Sequence, residues 1–271
     1  MTVIQLRHNT AAGATANDTT LIAGELGLTT DTRLLGIGDG ITVWTGQTYH
    51  RPSGGVTNYT TWDATGHQTM VGTAKPWEDV RIEPSVRSTS GVRIPAFEQW
   101  ADDSGLGDTG TSHGVYLYSF TDETTNNQKE IFFTLQLPHA WDGVLVSLHV
   151  HWLGAVADTT AAPIWGLEYA FKSIGQTFGA TEAIIYTDGK NYNGVGDDAD
   201  IVAGKHYLSE FADITAGATN NGISAVLIGR LFRRSGDASD TYNAAGAKCG
   251  LLYVDAHIQM NSIGSTDEFA K

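Results

Sequence analysis

Apolar and polar residues alternate along most of this chain, with the two-residue period of a strand rather than the 3.6-residue period of a helix. Seven runs carry the pattern: GVYLYSF (114–120), EIFFTLQL (130–137), VLVSLHVHW (144–152), IWGLEYAFKSI (164–174), EAIIYTD (182–188), ISAVLIGRLFRR (223–234) and GLLYVDAHIQM (250–260). Clusters of Gly, Asn, Asp, Thr or Pro bound each run, as turns bound strands. No strand–helix–strand alternation is visible, which argues against a doubly wound nucleotide fold. The run lengths favour an eight-stranded, jelly-roll-like β-sandwich over an immunoglobulin-like domain with shorter strands. KHYLSEFADI (205–214) reads as one helix, and the Trp- and Pro-rich stretch 62–113 as an irregular wrap around the sandwich.

The alternation also sorts side chains onto faces. In the run 144–152, Val144, Val146, Leu148, Val150 and Trp152 form an apolar face, opposed by Leu145, Ser147, His149 and His151. In 250–260, Leu252, Val254, Ala256, Ile258 and Met260 oppose Tyr253, Asp255, His257 and Gln259. In 164–174, Leu167, Tyr169 and Phe171 oppose Glu168 and Lys172. If the polar faces share one sheet, His149, His151, Glu168, Asp255 and His257 converge. A His-x-His pair with a carboxylate and a third histidine is similar to the metal set of cupins, and such donors suit Zn, Fe or Mn. In cupins, however, the ligands point into the barrel, and here the interior belongs to the apolar set. The expectation is therefore a ligand-facing, solvated or subunit-facing polar face, with neither a metal nor a cofactor and no enzyme activity; a structural metal on a symmetry axis and a cupin-like metalloenzyme are the outside alternatives. Histidines at a subunit contact would make that contact pH-sensitive.

Residues 1–50 differ in texture. Short apolar pieces (VIQLR, TLIAGELGLTTDT, RLLGIGDGITVW) are broken by turn formers, and the linker-like RPSGGVTNYT (51–60) separates them from the sandwich region 61–271. A segment of that size and composition buries too little apolar surface to fold alone, so it must pack on the larger domain or intertwine with copies of itself. An oligomer is the expectation.

Composition narrows the function classes. With 16 Lys and Arg against 30 Asp and Glu, the formal charge is −14, and no basic stripe of the kind that contacts phosphates is present. Arg230, Arg233 and Arg234 read as a solvated strand end. No nucleic acid is therefore expected as a partner. No stretch approaches the roughly 20 apolar residues of a membrane helix, and MTVIQLRHNTAAG lacks the apolar region of a secretory signal. Cys249, the single cysteine, reads as a buried core thiol and excludes a disulfide framework. Gly36-x-Gly38-x-Gly40 lacks dinucleotide-loop spacing, and Gly-x-Ser-x-Gly does not occur. The loop DGKNYNGVGDDAD (188–200) is rich in oxygen donors but lacks EF-hand spacing and reads as an ordinary surface loop. Trp77, Trp100 and Trp141 are candidates for stacking on a sugar or for the core.

Within residues 1–46 a longer pattern runs in order. Ile4-Gln5-Leu6-Arg7 is followed by Thr10-Ala11, then by Ala23-Gly24-Glu25-Leu26-Gly27 with Thr30-Asp31-Thr32, then by Ile37-Gly38-Asp39-Gly40 with Thr42 and Trp44. This resembles the N-terminal module of tailed-phage fibres, including the major tropism determinant family. Trp62-Asp63, Leu137-Pro138-His139, His149–Trp152 and Trp165–Tyr169 are similar, less specifically, to phage particle proteins. The resemblance implies a virion protein, assembled in the host cytoplasm, in which a small β module anchors an intertwined homotrimer to other capsid or tail proteins. Arg7, Glu25, Asp31, Asp39, Gly40 and Trp44 are its implied anchor and assembly residues. Two roles share this design, a capsid decoration or head-fibre protein and a short tail fibre that attaches to a host receptor or surface glycan.

Overall fold

The computed structural model of the chain describes residues 7–9, 26–29, 35–37, 59–62, 68–86, 91–101, 114–123, 127–181, 183–196, 200–217, 222 and 224–264. Two compact units are distinguished, one of residues 1–61 with 70–74 and the other of 62–69 with 75–271. In the first, β1 (Arg7–Asn9) pairs parallel with β2 (Leu26–Thr29), which pairs antiparallel with β3 (Leu35–Ile37). Two further short strands, β4 (Tyr59–Trp62) and β5 (Gln68–Val71), pair with each other.

The larger unit is built from two antiparallel sheets. One takes the order β13 (His206–Glu210), β10 (Trp141–Gly154), β16 (Lys248–Met260), β8 (Val115–Thr121), β7 (Ala96–Ala101). In the same sheet β14 (Ile214–Thr215) lies along β10 and β6 (Trp77–Ile82) along β16. The other sheet runs β12 (Ala183–Tyr186), β11 (Trp165–Lys172), β15 (Val226–Arg233), β9 (Glu130–Gln136). The chain is all-β, with no α-helix among the described residues.

The two sheets meet in one apolar core, which gives a sandwich-like unit. Val146, Leu148, Val150 and Trp152 of β10 and Val254, Ala256 and Ile258 of β16 face Trp165, Leu167 and Phe171 of β11 and Leu227 and Leu231 of β15. Aromatic pairs cross the interface: Phe120 meets Trp165 edge-on at 5.0 Å, and Trp141 meets Phe171 at 5.8 Å. Two bulges modify the expected faces. The register of β10 against β16 shifts between Trp141 and Val146, and Val144 is exposed. It shifts again where Trp152 pairs Leu251 and His151 pairs Tyr253, so the extra residue Leu252 changes phase and Leu251 takes the core position expected for it.

Three other sequence expectations are corrected. Residues 205–214 form strands rather than a helix, because Tyr207, Ser209 and Phe211 are buried at a period of two while His206 and Glu210 are exposed. The stretch 62–113 contributes β6 and β7 to the first sheet. Arg233 is not solvated: its guanidinium is fully buried, paired bidentately with Asp240 at 2.8 Å and bonded to the carbonyls of Phe120 and Tyr242. Cys249 is a buried free thiol, as expected.

Candidate functional site

The polar faces of β10 and β16 lie side by side in the middle of the first sheet, opposite the core. Antiparallel register places residues in rows: His149 stands across from Asp255 on one side and Glu210 on the other, His151 across from Tyr253 and Leu208, and Ser147 across from His257. β6 extends two rows, placing Arg81 beside Asp255 and Asp79 beside His257. Both central strands are paired on both edges, so the backbone under these side chains is held firmly.

The centre of this face is buried. His149, His151 and Asp255 retain only 7 %, 8 % and 6 % exposure within the single chain. Their neighbours cover them. Tyr253 stacks on His151 with ring centroids 4.1 Å apart, His257 meets His149 edge-on at 4.1 Å, and Arg81 lies over Tyr253. The segment after β12 forms a wall, with Tyr192 and Leu208 exchanging backbone hydrogen bonds of 2.9 Å. Asx turns shape that wall: Asp188 accepts from the Lys190 amide, and Asn193 from the Val195 amide. An open cavity of about 550 Å³ lies against the face, lined by Trp77, His149, Lys190, Tyr192, Glu210 and His257 among others. A smaller one of about 210 Å³ lies between His151, Tyr192 and His206.

Asp255 is the hub. His149 Nδ1 lies 3.5 Å from its Oδ1, His151 Nε2 3.2 Å from its Oδ2, and His257 Nε2 3.5 Å from its Oδ2. His257 Nε2 also faces Asp79 at 3.1 Å, and His149 Nε2 faces Glu210 at 3.7 Å. On its far side, His151 Nδ1 is hydrogen-bonded to His206 Nε2 at 2.8 Å. Burial works against charge on both principal partners, but their pairing outweighs it. His149 is held above the ordinary histidine value by Asp255 and Glu210. His149 and His151 hold the Asp255 carboxyl well below the usual carboxylate range. His206 is pushed down by burial and by the neighbouring His151. Among the described residues, His149, His151 and Asp255 form a group whose donor atoms all lie within 4.8 Å of one another. Their Nδ1, Nε2 and Oδ1 atoms, respectively, are buried without a hydrogen-bond partner.

Of the face residues read from the sequence, His149, His151, Asp255 and His257 come together. Glu168 does not, because β11 belongs to the other sheet, where Glu168 accepts a 2.8 Å bond from Arg230 Nε; Arg230 Nη1 donates to Glu130 at 3.0 Å. Sequence reasoning missed His206, Glu210, Asp79 and Tyr192. Period-two alternation in 206–211 and in Trp77–Ile82 is the signal that points to the first three; Tyr192 sits in a loop and carries none. Trp77 lines the cavity, whereas Trp141 is buried in the core and Trp100 stacks over Gly250, where a Cβ would lie 2.6 Å from the indole. Of the anchor residues, Arg7 lies in β1; Glu25, Asp31, Asp39, Gly40 and Trp44 lie outside the described residues.

No helix among the described residues is long and apolar enough to cross a membrane. Compared with protein-family models and with curated proteins, the chain matches none of them.

Proposed function

We propose that this chain is a structural, non-enzymatic component of a bacteriophage particle, a homotrimeric capsid decoration or head-fibre protein held on the particle by residues 1–50. The ordered pattern from Ile4 to Trp44 carries the reading. A segment too small to bury its own core gains stability by packing on the larger domain or intertwining with copies of itself, and three-fold closure is the arrangement that the resemblance to tailed-phage fibre modules implies. The larger unit is then a jelly roll. Supporting that finer fold, strands β8–β13, β15 and β16 divide into the orders β8-β16-β10-β13 and β9-β15-β11-β12. Consecutive hairpins wrapping two facing four-stranded layers give such orders. Val92, Ile94, Phe97 and Val115, on and beside β7 and β8, are exposed apolar side chains suited to contact with a second copy.

One observation favours the second role, a short tail fibre. The cavity beside the histidine face combines exposed Trp77 and Tyr192 with Lys190 and Glu210, a mixture of flat apolar surface and polar groups that suits a host-surface glycan.

Solution mass separates the assembly model from its rivals. Mass photometry of the full chain is expected to give three times 29.0 kDa; a monomer removes the trimeric-fibre reading. Particles that lack the protein yet infect normally favour decoration, and adsorption blocked by antibodies against residues 61–271 favours the tail fibre.

A further inference from the structure

We propose that His149 Nδ1, His151 Nε2 and the Asp255 carboxylate bind a divalent transition metal, with Zn²⁺ the ion the donor set suits best. Two imidazoles and one carboxylate are a borderline donor set, the kind zinc takes when three protein ligands leave a fourth position open.

The spacing leaves room for an ion among the three side chains. His149 Nδ1 and His151 Nε2 lie 3.5 and 3.2 Å from the two Asp255 oxygens. An N–H···O bond centres on about 2.9 Å. Bonds of about 2.0–2.1 Å to a tetrahedral ion instead place ligand atoms roughly 3.3–3.4 Å apart. His149 Nδ1, His151 Nε2 and Asp255 Oδ1 are buried and have no hydrogen-bond partner, and the donor atoms of the three residues lie within 4.8 Å of one another. Other polar groups on this face are satisfied: Ser147 is bonded to Asp213, and His151 Nδ1 to His206. Three of the buried polar atoms without a hydrogen-bond partner among the described residues thus belong to this one cluster.

The outer contacts orient the ligands as a metal requires. One proton serves the 2.8 Å bond between His151 Nδ1 and His206 Nε2. When His151 Nδ1 donates it, His151 Nε2 presents a lone pair toward Asp255. His149 turns its Nε2 toward the Glu210 carboxylate, leaving Nδ1 for the ion. A ligating histidine whose second nitrogen is held by another group is the usual outer-shell arrangement. Register supplies the rest. His149 and His151 are two apart on one strand and so share a face, and Asp255 is directly opposite His149 on the next. The cavity lined by His149, His257 and Glu210 provides access and room for a water or an anionic group at the open position.

The test uses the full chain, freed of metal by chelator and titrated with Zn²⁺ by calorimetry and with Co²⁺ by visible absorption. One tight Zn²⁺ per chain and Co²⁺ bands of a low-coordinate nitrogen–oxygen site are expected. Asp255→Asn and His151→Gln, checked for folding by circular dichroism, are expected to lose about 100-fold or more in affinity. His206→Gln is expected to lose about 10–100-fold. His139→Gln, remote from the cluster and hydrogen-bonded to Ser224, is expected to bind as the wild type does. Wild-type imidazole NMR gives a readout that needs no variant: one equivalent of Zn²⁺ is expected to shift His149 and His151 first. No stoichiometric binding overturns the proposal. So does unchanged affinity in folded Asp255→Asn and His151→Gln, or an NMR response confined to other histidines.

Discussion

Arg233 is the most deeply committed charge among the described residues, and neutralising its partner should be costly. Its side chain and that of Asp240 are both 0 % exposed, and two parallel bonds of 2.8 Å join them. The same guanidinium ties the Phe120 carbonyl of β8 and the Tyr242 carbonyl to β15, and lies over the Tyr242 ring. Asp240→Asn keeps the volume but removes the charge, leaving a buried cation uncompensated. Breaking one side of such a pair costs about 3–5 kcal/mol. For a cooperative unit of roughly 200 residues, each kcal/mol lowers Tm by about 2–4 °C, so the expected fall is about 6–20 °C. Differential scanning calorimetry and urea denaturation measure it. The double variant Arg233→Met, Asp240→Leu should recover most of the loss, since replacing a whole buried pair by apolar groups is commonly neutral or stabilising. A Tm for Asp240→Asn within about 2 °C of wild type would refute the reasoning, because that corresponds to under about 1 kcal/mol.

Further expectations follow from packing and burial. Gly229 lies under Phe133, where an added Cβ would be 2.5 Å from the ring and 2.9 Å from Leu167 Cδ1, so Gly229→Ala should destabilise by about 1–3 kcal/mol and lower the urea midpoint. Trp152 is buried, stacks on Tyr207 and donates to Ser209 Oγ at 3.0 Å. Trp152→Ala should cost about 3–5 kcal/mol, read by the same denaturation. Burial pushes the Cys249 thiol up to about 12. At about pH 8 it should therefore stay unmodified by thiol reagents in the native protein and react only as the chain unfolds; fast labelling of the native form would contradict its burial.

The strands of the sandwich were legible because burial on one side imposes alternation. All seven long runs are strands, and the polar face of β10 and β16 follows from the positions of His149, His151, Asp255 and His257. What could not be read was which runs become neighbours. Glu168 shares the alternation of His149 but sits in the other sheet, since pairing order depends on connections between sheets rather than on any single run. The helix expected at 205–214 failed because Ser209 in the buried phase and Leu208 in the outer phase blurred the alternation of Tyr207 and Phe211 with His206 and Glu210. Burial of the histidine face was also hidden. It arises from Tyr253, His257 and the wall around Tyr192, contacts distant in sequence. The Leu252 bulge, which shifts the phase of β16 beside the cluster, leaves no mark in the residue pattern.

Membership of a phage particle is the central claim, and location on that particle tests it most directly. Gold-labelled antibodies against residues 61–271, applied to purified particles and imaged by electron microscopy, are expected to decorate the capsid surface in discrete clusters. Label confined to the tail tip replaces decoration with host attachment. Particles that carry no label, and contain none of this chain by mass spectrometry, contradict the account.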